Sequence, residues 1–129
     1  MGEFPGVIVL DTHVWYWWIN LDFDRLSSEI IEAIEDAPHV GVSVVSCFEL
    51  ALANKKGRLQ LPLPLPAWFE RALSGSDIEL LALTPEIASR AVNLTEVHRD
   101  PFDRVIIATA LMVDGLLASV DGHFLPIRN

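Results

Sequence analysis

The chain has 129 residues, of which 51% are hydrophobic, a mean hydropathy of +0.36 and a formal net charge of −9. That length suits one domain, residues 1–129, with a real core, while the charge argues against indiscriminate electrostatic attraction to nucleic acid. No apolar run reaches the roughly 18 residues of a membrane span, no signal peptide is legible, and the lone Cys47 excludes a disulfide framework and a Cys-based metal site, which fits a reduced, cytoplasmic setting.

Residues 6–10 (GVIVL) form a continuous run rich in β-branched side chains, the pattern of a parallel strand buried on both faces. A helix is expected from Thr12, and another over 27–36 with Ser27 or Ser28 as its N-cap. HVGVSVV reads as a second strand, and SCFELALANKKG as a helix capped by Ser46 and stopped by Gly57. LPLPLP is a stiff extended connector, too short of chain on either side to separate two cores. A helix near 66–73, a strand IELLAL and a helix opened by Thr84 and Pro85 follow. DPFDRVIIATALMVDG is a strong helix ending at Gly115, and LLASV is the last clear strand. Strands alternating with helices predict an α/β fold with a central, mainly parallel sheet flanked by helices.

Four carboxylates stand where such a fold builds sites. Asp11 and Asp121 each end an apolar strand, and sites of open α/β sheets lie beyond the carboxyl ends of their strands. Glu49 and Asp103 each sit three residues after a candidate cap, Ser46 and Asp100, so both also fit helix capping. Capping and catalysis are compatible here, because the positive end of a helix keeps a carboxylate ionised. Acids brought together repel one another unless something neutralises them. Mg²⁺ or Mn²⁺ would do so, being hard ions that prefer carboxylate and water oxygens. No His or Cys spacing suggests zinc; His13, His39, His98 and His123 read as surface, loop or helix-end residues, with His98 the one to watch.

Four segments, LDTHVWYWW, SVVSCFELALANKKGRLQLP, HRDPFDRVIIATAL and LLASVDGHF, together resemble the PIN-domain ribonucleases in order and spacing. The likeness is nearest to the VapC-type toxins of toxin–antitoxin operons and spans essentially the whole chain. It implies a PIN-like fold and hydrolysis of RNA phosphodiester bonds, with Asp11, Glu49, Asp103 and Asp121 as the catalytic, metal-holding acids. Asp121 serves in that scheme either as a ligand or as a base that positions water. Thr12 and Ser119 match small hydroxyl positions beside the acids. Lys55, Lys56 and Arg58, after the Glu49 helix, and Arg99 and Arg104, around Asp103, are candidate RNA contacts; ordinary surface charge is the competing reading for each.

Helical spacing puts Val14, Trp17, Trp18 and Leu21 on one face and leaves Trp15, Tyr16 and Ile19 elsewhere. The leftover face asks for a protein neighbour or a base to stack on. The resemblance favours the neighbour, a VapB-like antitoxin lying in a groove beside the acids. The apolar surplus of so short a chain also points to a homodimer. Two other classes stay open at this point. One is a phosphate-accepting receiver-like domain, disfavoured because no lysine follows Lys56; the other is a catalytically silent interaction module.

Overall fold

The computed structural model describes residues 6–94, 100–119 and 124–126. The sheet has the order β3-β2-β1-β4-β5. Its strands are β1 (Val7–Leu10), β2 (His39–Ser43), β3 (Ile78–Leu81), β4 (Leu116–Ala118) and β5 (Phe124–Pro126). The first four run parallel, and β5 returns antiparallel along β4, a strand that the sequence reading did not anticipate. The expected mainly parallel α/β architecture is therefore the observed one.

Alternation along β1 sets the layers. Ile8 and Leu10 enter one core cluster, Val9 and Val7 the other. The first layer holds α1 (Thr12–Ile19), α2 (Ser28–Asp36) and α4 (Leu65–Phe69), and its core includes Trp15, Ile30, Ile34 and Trp68. The second is α6 (Pro101–Met112) through Ile106, Ile107 and Ala110, with α5 (Pro85–Val92) packed on α6 through Ile87 and Ala91. α3 (Val44–Lys55) contributes Leu50 to the first cluster and touches the second through Val45. It packs against both α1 and α6, so it bridges the two layers.

Helix starts follow the local chemistry. Ser27, Thr84 and Asp100 cap α2, α5 and α6, each accepting a backbone N–H with its side-chain oxygen. α3 departs from expectation. Its cap is Ser43, three residues before Ser46, and Val44 and Val45 form its first turn rather than the end of a strand. The Ser46–Glu49 capping box therefore does not exist. Of the proline-rich connector, Leu65 and Pro66 already belong to α4, which runs on into a wider π turn over Glu70–Ser74.

Helix ends share one device. After α3, Gly57 at φ 75° carries the left-handed turn, with Arg58 N–H bonded to Ala53 O and Gly57 N–H to Asn54 O. α1 and α6 close the same way, but with Leu21 (φ 62°) and Asp114 (φ 55°) in the left-handed position. Gly115 is thus one residue beyond the stop expected of it. Its role is close approach, since a Cβ there would stand 2.7 Å from Val7 O on the neighbouring strand.

Candidate active site

β1 is the middle of three parallel strands, and Leu10 is paired with Val42 on one side and Ala118 on the other. The residues just past these pairs are Asp11, Ser43 and Ser119, so three neighbouring strands deliver oxygen-bearing side chains to one sheet edge. The Asp11 N–H donates to Ala118 O at 3.0 Å, which carries the pairing one step further and anchors Asp11 itself. Its Oδ1 accepts the Val14 N–H at 2.9 Å, making Asp11 the N-cap of α1. The two roles weighed for Asp11, cap and strand-end acid, coincide in space.

Glu49 reaches the same edge from α3. Its Oε1 accepts from the Thr12 hydroxyl at 2.6 Å, and Thr12 Oγ1 lies 2.8 Å from Ser46 Oγ. Thr12 and Ser46 are buried, while Glu49 is half-buried. Burial raises the Glu49 pKa above its ordinary value; the Thr12 bond opposes this, and the charges of Asp103 and Asp100 add to the rise. The Asp103 carboxylate, exposed at the third position of α6, therefore lies within electrostatic reach of Glu49. His13, exposed on α1, pulls the other way. One turn of contact also joins these helices, as the rings of Phe48 and Phe102 meet at 5.6 Å. Ser46 and Phe48 are site neighbours that the sequence reading passed over; only the i, i+3 spacing of Ser46 and Glu49 hinted at a shared face.

Asp11 and Ser119 thus stand at the ends of neighbouring strands, Thr12 ties Glu49 to the same edge, and Asp103 lies within electrostatic reach of Glu49. Asp121, with His98, Arg99 and His123, lies outside the described residues. Among the described residues, no three His, Cys, Asp or Glu side chains form a ready cage for a metal ion. The donors present are all oxygens, and Glu49 carries repulsion that a cation would relieve. That chemistry fits a hard divalent ion. Cys47 is half-buried and burial pushes its thiol up, so it is no candidate nucleophile.

The PIN domain family matches residues 8–128. The chain belongs to that family. It is 37% identical over 105 residues to Ribonuclease VapC22 of Mycobacterium tuberculosis, spanning 81% of this chain and 78% of the relative. It therefore stands among the VapC-type PIN proteins. A chain of a toxin–antitoxin complex from Klebsiella pneumoniae has the same fold, with a TM-score of 0.55 over 85% of this chain and 82% of that one, at 23% identity. The receiver-like alternative falls with the PIN assignment.

Two expectations about side chains on this PIN fold need correction. Trp15 does not face a groove. It is fully buried between the sheet and α4, edge-on to Trp68 at 5.1 Å and stacked on Phe69 at 6.3 Å. The helical wheel assumed one buried face, whereas α1 is covered on two sides. Tyr16 and Ile19 are half-buried against the same core, and the Tyr16 hydroxyl donates to Gln60 O. Arg104 is likewise engaged. Its guanidinium donates to the carbonyls of Ala91, Val92 and Leu94, closing the end of α5 onto α6. Lys55, Lys56 and Arg58 are exposed at the far end of α3. No helix among the described residues is long and apolar enough to cross a membrane.

Proposed function

We propose that the chain is a divalent-metal-dependent endoribonuclease that acts as the toxin of a toxin–antitoxin pair. The observation that carries the reading is the bond from Thr12, the residue after the strand-end acid Asp11, to Glu49 at the carboxyl edge of a PIN sheet, with Asp103 close enough to perturb Glu49. The 37% identity to a protein named as a ribonuclease supports the activity. The match to a chain from a toxin–antitoxin complex supports the fold within which the pairing is proposed.

Asp11, Glu49 and Asp103, with Asp121, would hold Mg²⁺ or Mn²⁺ through carboxylate oxygens. When bound, such an ion supplies charge neutralisation at the reacting phosphate and makes water acidic enough to attack it. The chain's own contribution is orientation. The α1 cap fixes Asp11, the Thr12 hydroxyl fixes Glu49, and the first turn of α6 presents Asp103. Asp121 either joins the ligands or positions the attacking water. No side-chain nucleophile is required. Lys55, Lys56, Arg58 and Arg99 remain the proposed phosphate contacts in a chain that is otherwise acidic overall.

The proposed partners are an RNA substrate, a VapB-like antitoxin and a second copy of the chain, in a cytoplasmic setting. The antitoxin groove is no longer assigned to Trp15. The deciding experiment is cleavage of a short end-labelled RNA with Mg²⁺, with Mn²⁺ and with chelator, repeated on Asp11→Asn. Cleavage that needs the metal and disappears in the variant is the expected result. Equal cleavage in chelator, or by the variant, refutes the assignment. Sedimentation at micromolar concentration is expected to give about twice the chain mass of 14.3 kDa.

A further inference from the structure

Ser46 has no part in that catalytic scheme, yet it is fully buried on the side of α3 that carries Glu49 three residues on. Its Oγ stands 2.8 Å from Thr12 Oγ1, which in turn stands 2.6 Å from Glu49 Oε1. A hydroxyl has a single proton to give. A carboxylate that is to ligate a cation is ionised and can only accept. Thr12 therefore donates to Glu49, and the proton between Ser46 and Thr12 comes from Ser46. The three groups form a directed chain, Ser46 to Thr12 to Glu49, in which each bond polarises the next.

We propose that Ser46 is a positioning residue of the acidic site, which fixes the Thr12 hydroxyl as a donor to Glu49 and so sets Glu49 relative to Asp11. The inference rests on the metal-site reading of Asp11 and Glu49. Its geometry is direct. Thr12 is the first residue of α1 and follows Asp11, so a bond pair that clamps Thr12 to two successive turns of α3 also fixes the separation of two proposed ligands. Ser46 is one turn before Glu49 and acts through Thr12, so it is not a catalytic residue. Groups that orient metal ligands from behind typically change metal affinity by about 10–100-fold when removed.

The test is calorimetric titration of Mn²⁺ into the parent, Ser46→Ala, Ser46→Thr, Thr12→Val and the Ser46→Ala/Thr12→Val double variant, with the melting temperature of each taken in chelator. Ser46→Ala is expected to stay folded and bind Mn²⁺ about tenfold more weakly. Ser46→Thr, which keeps the donor, is expected to bind within a few-fold of the parent. In the Thr12→Val background Ser46→Ala is expected to cost nothing further, because its route to Glu49 is already cut. RNA cleavage by Ser46→Ala is expected to recover as Mn²⁺ is raised. Parental Mn²⁺ affinity in folded Ser46→Ala, or an undiminished effect in the Thr12→Val background, overturns the positioning role alone. A parent that binds no Mn²⁺ overturns both this role and the metal-site reading beneath it.

Discussion

Thr12 Oγ1 and Glu49 Oε1 lie 2.6 Å apart, joining the first turn of α1 to the middle of α3. The bond does not fully offset what burial and the neighbouring acids do to Glu49, whose carboxyl stays raised above the ordinary value of 4.5. A raised folded-state value means that the folded protein takes up a proton more readily than the unfolded chain. In chelator, the stability contributed by protonated Glu49 is complete below the unfolded value and is lost as pH rises through the raised folded one. Thermal melts across that window are expected to show metal-free stability declining with pH, and the decline is expected to shrink in Glu49→Gln. An identical slope in the two proteins would assign the pH dependence to other groups.

Asp11→Asn, Glu49→Gln and Asp103→Asn are each expected to abolish RNA cleavage in Mg²⁺ or Mn²⁺ with the fold retained, as acids acting on one site fail together. Asp100 caps α6 through a 2.8 Å bond from the Phe102 N–H. Asp100→Ala is therefore expected to cost about 1 kcal/mol of stability and leave most activity. Denaturant melts alongside a cleavage assay separate the two patterns. Parental rates in Asp103→Asn would mark that residue as a helix-end charge only.

Leu21 holds the left-handed position after α1 at φ 62° with 70% of its surface exposed. A side chain in that conformation clashes with its own carbonyl, at about 1–2 kcal/mol, and exposure leaves little packing to offset it. Leu21→Gly is expected to raise stability by about 1 kcal/mol after the extra chain entropy of glycine is counted. A lower denaturation midpoint would show that the Leu21 side chain has a stabilising contact elsewhere.

Arg104 supplies three hydrogen bonds to carbonyls at the end of α5 and beyond it. Arg104→Met keeps the stem but removes these charged donors, and is expected to cost about 2 kcal/mol. RNA affinity at saturating folded protein is expected to be unchanged. Weaker RNA binding with parental stability would return Arg104 to the substrate surface.

What the sequence made legible follows from how local each signal is. Asp100-Pro101 and Thr84-Pro85 mark helix starts through contacts within one turn, and both starts are found where they were expected. Val44 and Val45 look like strand, and only the pairing of β2 with β1 and β3 decides that the strand stops at Ser43. That shift of three residues removed the supposed capping box and turned Ser46 inward. Trp15 departs from its expected place for a related reason. A helical wheel finds one apolar face, but α4 arrives from a distant segment and covers a second. Asp11 was readable because strand end and helix cap are both local, whereas the Thr12–Glu49 bond spans 37 positions and has no local trace.

The outer position of β3 bears on how the protein behaves when crowded. An open strand edge is a template for pairing with another molecule and hence for aggregation. β3 is only four residues long, and its exposed Glu79 puts a charge on that rim. Two copies pairing there would bring like charges close together, which disfavours the pairing. A short, charged rim thus acts as a gatekeeper for a chain whose composition would otherwise favour clumping. Glu79→Thr, neutral and well suited to a strand, is expected to scatter more light on gentle heating than the parent at the same concentration, and equal scattering would relocate the protection to another surface.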